Sequence, residues 1–450
     1  MIAGTKSGCG KTTITCGILK CIMNQGLFVS SFKCGPDYID PMFHSKIIGT
    51  KSGNLDSYFT DSETLNSLFI KNSKDTDISV IEGVMGYYDG IGFTSNASSY
   101  SIATITKTPV ILVLDCKGVS TSIGAILQGF LGFKADNNIK GVIFNQLPEV
   151  LYEDAKKLAN ELGVVSLGYV PVIKECMLES RHLGLITADE IEDIKNKIEL
   201  LASKLENTLD INGMLQLSKQ AEDLPDISID KVKKVNKQIK IAIAMDNAFC
   251  FHYRDNLDLL TEMGCTLLPF SPLKDTKLPN DISGLLLNGG YPELYADELS
   301  KNQNMLKSIK QAIYDGIPTI AECGGFMYLH DTMEDTTGKE YPMVGVIQGK
   351  CYKTNRLLRF GYIDMSAYKD NLISNKLGHI KAHEFHYWDS ESSGEDYHAV
   401  KASGMKEWDC IHATDIMYAG FPHLYYYSNP AIAEGFVNQC IKYSEKMRSN

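Results

Sequence analysis

Residues 4–12 read G-T-K-S-G-C-G-K-T, a glycine-rich phosphate-loop motif that ends in G-K-T and has five residues between Gly4 and Gly10, one more than in the pattern G-x-x-x-x-G-K-T. This pattern needs a strand before it and a helix after it, so that loop amides and the helix N-terminus face one point. Its glycines let backbone N–H groups wrap a phosphate, while the final lysine and hydroxyl suit the β/γ-phosphates and Mg²⁺. Only residues 1–3 precede the motif, which predicts a very short first strand or a start that lies a few residues late.

The motif and its flanks predict an ATP site in which Lys11 contacts the phosphates and the Thr12 hydroxyl binds Mg²⁺. An additional lysine, Lys6, gives K-S-G-C-G-K-T, which resembles the loop of partition and septum-site ATPases, nitrogenase iron protein and dethiobiotin synthetase. In many of those proteins this lysine reaches a nucleotide across a dimer interface. A homodimer is therefore one expectation, and a solvated loop lysine is the other. The residues expected to bind ATP are Gly4, Lys6, Gly8, Gly10, Lys11, Thr12 and Thr13.

Two acidic residues are candidates to hold Mg²⁺ together with Thr12. Glu82 ends the apolar run 78–81, and Asp37 lies in the turn-rich segment 32–41, F-K-C-G-P-D-Y-I-D-P. Carboxylates at strand ends are well placed for Mg²⁺, which takes oxygen ligands and commonly one or two carboxylates beside the phosphates. The alternative for each is an ordinary loop carboxylate.

A second motif, A-E-C-G-G, surrounds Cys323 and follows the apolar run 318–321. A sharp strand-to-helix turn of this kind exposes a nucleophile, and a thiolate nucleophile needs a histidine nearby. His423 is the first choice, and His383 and His386 are rivals. The N–H groups of Gly290 and Gly324 are expected to form an oxyanion hole. Together, the two motifs predict an enzyme that produces ammonia at one site and uses it with ATP at the other.

The rest of the chain predicts two α/β domains. Continuous apolar runs are typical of parallel strands buried on both faces. Residues 189–209 have the spacing of an amphipathic helix, and the polar segment 213–237 indicates a linker between domains 1–212 and 238–450. The predicted strands cover residues 78–82, 109–115, 141–145, 164–170, 240–244, 265–270, 284–287 and 318–321.

Bulk composition narrows the class of protein. With 450 residues, 44% hydrophobic and 22% charged, the chain can bury a core in each of two or three domains. The net charge of -11, with no basic block, argues against a nucleic-acid partner. The sequence contains no apolar run of about 18 residues, which is the length needed to span a membrane. The 12 scattered cysteines lack a C-x-x-C pair and favour free thiols in a reducing cytoplasm.

In order along the chain, these motifs resemble the cobyrinate a,c-diamide synthase family. The remaining matches are N-L-D at 54–56, E-G-V-M-G-Y-Y-D-G at 82–90, S-R-H-L-G-L at 180–185, N-G-G-Y-P-E at 288–293, A-H-E-F-H at 382–386 and H-L-Y at 423–425. The resemblance implies a doubly wound phosphate-loop domain, similar to dethiobiotin synthetase, followed by a class I glutamine amidotransferase-like α/β domain.

The resemblance also implies roles and small-molecule partners: ATP, L-glutamine and a corrinoid polycarboxylate. Cys323 would attack glutamine with the help of His423, and the first domain would activate a macrocycle carboxylate as an acyl phosphate. Related amidotransferases have His-x-Glu, whereas Tyr425 stands at that position here, so the third member of the triad is missing. A mainly acidic and aromatic set of residues near the ATP site would bind the corrin and the metal: Asp37, Tyr38, Ile39, Glu82 and Asp89.

Two alternatives remain open at this point. The same chemistry on nickel-sirohydrochlorin, a precursor of coenzyme F430, would use the same motifs. A nucleotide-driven switch built on Lys6 belongs to a different class of protein, and such switches often end in an amphipathic membrane helix. This chain ends instead in a short polar tail, residues 438–450.

Overall fold

A computed structural model describes residues 1–176, 188–225, 234–235 and 237–449 of the chain. It divides into two compact units, Met1–Ile229 and Asp230–Asn450. The motif S-R-H-L-G-L at 180–185 lies outside the described residues.

The first unit is built on one parallel sheet of seven strands in the order β3-β2-β4-β1-β5-β6-β7. Its strands are β1 (Ile2–Gly4), β2 (Val29–Cys34), β3 (Lys51–Leu55), β4 (Ile78–Glu82), β5 (Val110–Asp115), β6 (Ile139–Asn145) and β7 (Val165–Val170). Its helices are α1 (Lys11–Asn24), α2 (Ile39–Phe43), α3 (Ser62–Ser73), α4 (Ser99–Ile105), α5 (Ser122–Phe133), α6 (Tyr152–Glu161), α7 (Ala188–Leu205) and α8 (Ile211–Ser218).

Both faces of this sheet are buried, which explains the continuous apolar runs of its strands. Val113 and Ile143 pack into one core layer, and Leu112 and Phe144 pack into the layer on the opposite face. Parallel strands end at the same edge, so the loops after β1, β2 and β4 meet there.

The helix predicted over 189–209 ends earlier than expected, at Leu205. The chain leaves the helix because residues 208–210 pair with β7: the Thr208 carbonyl accepts from the Tyr169 amide at 3.1 Å, and the Asp210 amide donates to Leu167 at 2.9 Å. The Asp210 side chain then caps α8. Residues 213–218 of the segment expected to be a linker therefore belong to a helix of the first unit.

The second unit has a six-stranded sheet in the order β20-β21-β11-β10-β8-β9, parallel except for β20. The strands of this unit are β8 (Ile239–Ala244), β9 (Cys265–Phe270), β10 (Gly284–Leu287), β11 (Thr319–Glu322), β12 (His330–Glu334), β13 (Glu340–Pro342), β14 (Ile347–Lys353), β15 (Arg359–Ala367), β16 (His379–His386), β17 (Trp388–Ser390), β18 (Tyr397–Lys401), β19 (Glu407–Cys410), β20 (His412–Ala413), β21 (Met417–Gly420) and β22 (His423–Leu424). The helices are α9 (Arg254–Glu262), α10 (Ala296–Lys301), α11 (Gln303–Tyr314), α12 (Gly324–Tyr328) and α13 (Ala431–Ser449).

Two further sheets, which the sequence did not predict, follow the nucleophile motif. One has four strands in the order β13-β12-β14-β17, and the other has five in the order β19-β18-β15-β16-β22. The five-stranded sheet carries His383 beside His423, because these two residues are register partners of β16 and β22. This sheet therefore brings the predicted histidines to one place.

Two further features concern the cysteines and the helices. All twelve cysteines are buried and carry free thiols. Among the residues that the structure describes, none of the helices has the length and apolar character needed to cross a bilayer.

Candidate active sites

The phosphate loop runs from the end of β1 at Gly4 to the start of α1 at Lys11. Gly10 has a left-handed φ of 89°, and a Cβ there would lie 2.3 Å from Nδ2 of Asn145. That amide nitrogen donates to the Cys9 carbonyl at 2.8 Å. The loop is thus fastened to the end of β6, and only glycine fits at this point of close approach.

The Lys11 ammonium is directed into the loop. Its Nζ donates to the carbonyl of Lys6 at 3.0 Å and to the carbonyl of Met85 at 2.6 Å. Burial lowers the pKa of Lys11, and the nearby Lys33 cation lowers it further. Lys11 is therefore a partly desolvated donor at the phosphate loop.

Glu82 is the fully buried centre of a polar network at the end of β4. Thr12 Oγ1 donates to Glu82 Oε1 at 2.6 Å, and Lys33 Nζ donates to the same oxygen at 2.7 Å. His44 Nε2 lies 3.2 Å from the other oxygen. Burial alone would raise the pKa of Glu82, but Lys33 and His44 outweigh it and hold the pKa below its usual range.

Lys33 joins this network to α2. Its ammonium lies 2.5 Å from Oδ2 of Asp40 as well as beside Glu82. Burial disfavours the cation, yet the two carboxylates raise the pKa of Lys33 overall. Burial and the charges of Glu82 and Asp37 raise the pKa of Asp40 to about 7. Sequence reasoning missed Lys33, Asp40 and His44, although the first two lie in the segment 32–41 that it singled out.

The other predicted residues of the first site occupy the same edge. Asp37 Oδ1 accepts from the amides of Ile39 at 2.8 Å and Asp40 at 3.1 Å, so it caps the start of α2. Asp89 Oδ2 accepts from the Gly86 amide at 3.0 Å. Tyr38 immediately precedes α2, Gly8 lies in the loop, and Thr13 lies in the first turn of α1.

Lys6 forms an ion pair within its own chain. Its Nζ lies 2.9 Å from Oδ2 of Asp115 at the end of β5, and its side chain is 63% exposed. A homodimer in which Lys6 reaches the nucleotide of a second copy would require this pair to open.

Cys323 sits on a strained turn between β11 and α12. Its backbone has φ 47° and ψ −103°, an unfavourable conformation for a residue with a side chain. Strain of this kind is typical of a nucleophile elbow. Burial raises the pKa of the Cys323 thiol, and the charge of the nearby Glu293 raises it further. Both effects favour the protonated thiol, so its reaction as a nucleophile requires a base.

His423 and Cys323 both lie against Gly289. A Cβ on Gly289 would lie 2.5 Å from Cε1 of His423 and 3.5 Å from Cβ of Cys323. Both side chains therefore meet at a glycine that no larger residue can replace without moving them. This arrangement supports His423 as the base for the thiol.

The rival histidines differ in their surroundings. His383 is buried beside His423, and burial, with the neighbouring imidazole, lowers its pKa to about 3. His386 donates through Nδ1 to the Trp388 carbonyl, 2.6 Å away, and stacks on Phe421 with ring centroids 3.9 Å apart. His386 is thus held by the core.

The amides expected to form an oxyanion hole are close together. A Cβ on Gly324 would lie 3.1 Å from the Gly290 nitrogen. Gly290 itself has a φ of 159°, and a Cβ there would lie 2.1 Å from the Ala248 carbonyl oxygen. These two glycines can therefore present their N–H groups to one acceptor beside Cys323.

A carboxylate that the sequence did not identify also approaches His423. Oε2 of Glu322, the residue directly before the nucleophile, lies 3.6 Å from Nδ1 of His423. Burial raises the pKa of Glu322, while His423 opposes that shift. The sequence signal that could have identified Glu322 is a polar side chain at the end of an apolar strand.

Comparison with known proteins assigns both units to families. Residues 1–185 match the CobQ/CobB/MinD/ParA nucleotide binding domain, and residues 240–429 match the CobB/CobQ-like glutamine amidotransferase domain. The first match contains the phosphate loop and Glu82, and the second contains Cys323 and His423.

Several relatives that match nearly the whole chain are cobyrinate a,c-diamide synthases. A cobyrinate a,c-diamide synthase of Caldanaerobacter subterraneus subsp. tengcongensis is 39% identical over 99% of this chain and 99% of its own. Those of Listeria innocua and Thermoplasma volcanium are 41% and 38% identical, over 96% and 99% of this chain and 97% and 98% of theirs. The chain therefore belongs to the cobyrinate a,c-diamide synthase family of glutamine-dependent ligases.

Proposed function

We propose that the chain uses ATP and glutamine to amidate the a- and c-acetate side chains of cobyrinic acid, a step of cobalamin biosynthesis. One observation carries the proposal: a single chain combines a phosphate loop bonded to Glu82 with Cys323 on a strained elbow beside His423. The full-length similarity to cobyrinate a,c-diamide synthases supports the choice of substrate.

In the glutamine half-reaction, His423 takes the proton of the Cys323 thiol, and the thiolate attacks the side-chain amide carbon of glutamine. The N–H groups of Gly290 and Gly324 donate to the oxygen as negative charge develops there. The C–N bond then breaks, His423 returns the proton to the leaving ammonia, and a thioester remains. Water hydrolyses the thioester to glutamate and restores the thiol.

In the ATP half-reaction, a macrocycle carboxylate attacks the γ-phosphorus, ADP leaves, and an acyl phosphate forms. Ammonia then attacks the acyl carbon and phosphate departs, which leaves the amide. The Lys11 ammonium and the N-terminus of α1 stabilise the negative charge on the phosphates during transfer. Asp37, Tyr38, Ile39 and Asp89 are proposed to contact the macrocycle from the edge of the sheet where the phosphate loop lies.

The residues at the end of β4 fit Mg²⁺. The Thr12 hydroxyl and the Glu82 carboxylate are adjacent oxygen donors at the loop, 2.6 Å apart. No group of three or more His, Cys, Asp or Glu side chains within the described ranges is arranged to hold a metal ion. A nucleotide-bound Mg²⁺ suits such a sparse set, because it commonly takes one or two carboxylates and completes its shell with phosphates and water. Thr12, Glu82 and Asp37 would hold it, and it would neutralise phosphate charge.

The cytoplasm is the proposed location of the reaction. Twelve free thiols are consistent with a reducing compartment.

A mass-spectrometric assay tests this function directly. The protein is incubated with ATP, glutamine and Mg²⁺, with cobyrinic acid or nickel-sirohydrochlorin in parallel. We expect two successive replacements of OH by NH₂ on cobyrinic acid, each requiring both ATP and glutamine. Amidation of nickel-sirohydrochlorin alone would reassign the substrate. ATP hydrolysis without any change in either macrocycle would favour the nucleotide-driven switch.

A further inference from the structure

The residue at the position of the third triad member in related amidotransferases has a structural role in this chain. Tyr425 stands two residues after His423, and its hydroxyl donates to Oδ2 of Asp255 on α9 at 2.8 Å. The neighbouring Asn256 donates through Nδ2 to the Leu424 carbonyl at 2.8 Å. Tyr425 and α9 therefore hold β22 in place, and a carboxylate that orients the imidazole would have to come from elsewhere.

Glu322 approaches His423 from a different strand. It ends β11, and its register partner on β21 is Gly420, three residues before His423. Its Oε2 lies 3.6 Å from His423 Nδ1, with side-chain exposures of 8% for Glu322 and 3% for His423. The Leu424 amide also donates to this carboxylate. The two groups are thus shielded from water and close enough for a small tightening to form a hydrogen bond.

We propose that Glu322 is the positioning residue for His423 and takes the place of the missing glutamate of the triad. This inference rests on the proposed use of glutamine at Cys323. A hydrogen bond from Nδ1–H to Glu322 leaves Nε2 without a proton and ready to accept the one from the thiol. The carboxylate also stabilises the imidazolium that forms after proton transfer, in a buried environment where charge interactions are strong.

The strained backbone explains how two consecutive residues serve one histidine. Side chains of adjacent strand residues normally point to opposite faces. The left-handed φ of 47° at Cys323 turns the chain at this point, so the thiol and the preceding carboxylate both reach His423.

Three neighbouring groups share this environment. His383 lies beside His423 on β16. Glu293 and Glu384 act on the Cys323 thiol through their charges. Among these, Glu384 offers a matched control, because its Oε2 is also 3.6 Å from a histidine, His386, and its side chain is 1% exposed. Glu322 and Glu384 therefore differ mainly in which histidine they face.

The test compares Glu322→Gln with Glu384→Gln in the full-length protein, with ATP and cobyrinic acid present. We expect Glu322→Gln to lower kcat for glutamate release by about 100-fold or more, since a misoriented imidazole is costly in such triads. The KM for glutamine and the ammonia-dependent amidation rate should stay within about twofold of the original, because neither uses the imidazole. Glu384→Gln should lose far less of kcat.

Two results would overturn the proposal: a kcat for Glu322→Gln within twofold of the original, or equal losses in both variants, which would indicate a structural role. A measurement on the unmodified protein guards against a misfolded variant. In protein labelled with nitrogen-15 at histidine, NMR should show His423 protonated at Nδ1, and protonation at Nε2 would contradict the proposal. Absence of any glutamate release by the original protein would instead refute the proposed function.

Discussion

The two candidate sites hold their charges in different ways. At the phosphate loop, the buried carboxylate of Glu82 is matched by the ammonium of Lys33 and approached by His44. Around Cys323, burial instead disfavours charge. It raises the pKa of the thiol, raises that of Glu293 to about 7 and lowers that of His383 to about 3.

Under the proposed function, this difference follows from what each site would bind. A phosphate and its cation carry charge at every stage, so compensating charges are built into the first site permanently. The second site needs a thiolate and an imidazolium only while the thiol reacts, so its thiol stays protonated until then, on a backbone that is already strained. Substitutions at the first site should therefore affect both stability and rate, whereas those at the second should mainly affect rate.

Removing the nucleophile should have the largest effect and should distinguish the activities of the two sites most clearly. We expect Cys323→Ala to lower glutamine-dependent amidation by about 10⁴-fold or more, since no other group can form the thioester. Amidation supplied with ammonium salt should continue, because it needs only the first site. Steady-state rates with each nitrogen source measure this, with the buried Cys265→Ala as control. Loss of both activities would argue against separate sites.

Neutralising the buried carboxylate of the first site should affect rate and stability together. We expect Glu82→Gln to lower ATP-dependent amidation with either nitrogen source by about 100-fold. It should also lower the free energy of unfolding by about 3–5 kcal/mol, because Lys33 would be left buried beside fewer charges.

Chemical denaturation and labelling of Cys323 by a glutamine analogue distinguish these effects for Glu82→Gln. Labelling should persist, because the second site does not use Glu82. The exposed Glu161→Gln serves as control. Unaltered turnover would remove Glu82 as a Mg²⁺ ligand.

Displacing the imidazole should affect rate alone. In Gly289→Ala, the new methyl carbon would lie 2.5 Å from Cε1 of His423 and push the ring away from the thiol. We expect about a 100-fold lower kcat for glutamate release, as small misplacements of reacting groups have effects of this size. Gly129→Ala, where a Cβ meets nothing within 4 Å, is the control. A normal kcat in Gly289→Ala would contradict the inferred contact.

Acid should destabilise the second unit through its buried histidine. The pKa of His383 is about 3 in the fold, against 6.5 normally, so the unfolded chain binds more protons between these values. Stability from this group is complete above about pH 6.5 and falls as the pH drops towards 3, by up to about 1.4 kcal/mol per pH unit.

Urea denaturation at pH 7 and pH 5 tests this dependence. We expect a smaller difference between the two pH values in His383→Gln than in the original protein. His379→Gln is the control, since that side chain is 71% exposed. An unchanged pH dependence in His383→Gln would show that the imidazole titrates normally.

Most strands of the parallel sheets were predictable because these strands appear in the sequence as continuous apolar runs. The apolar runs 78–82, 265–270 and 284–287 correspond to β4, β9 and β10 with the same bounds. The two further sheets of the second unit were missed because their strands alternate between buried and half-exposed residues. β15, for example, mixes Arg359, Gly361 and Asp364 with apolar residues.

The candidate sites were predictable only as far as local motifs reach. Lys33 lies in a segment that the sequence singled out, but its role depends on Glu82, which is 49 residues away. Asn54 of the N-L-D motif donates to the carbonyls of Gly35 and Asp37 at 2.9 and 2.7 Å, so it positions a loop. Glu322 was overlooked because its contact with His423 exists only after β11 and β21 pair.

Transfer of nitrogen from one site to the other tests the central claim most directly. The protein is given ATP, cobyrinic acid and glutamine labelled with nitrogen-15 at the side-chain amide. The account predicts a diamide that carries the label at both new amides, and no labelled product from Cys323→Ala. Unlabelled diamide, or labelled diamide formed without ATP, would contradict it.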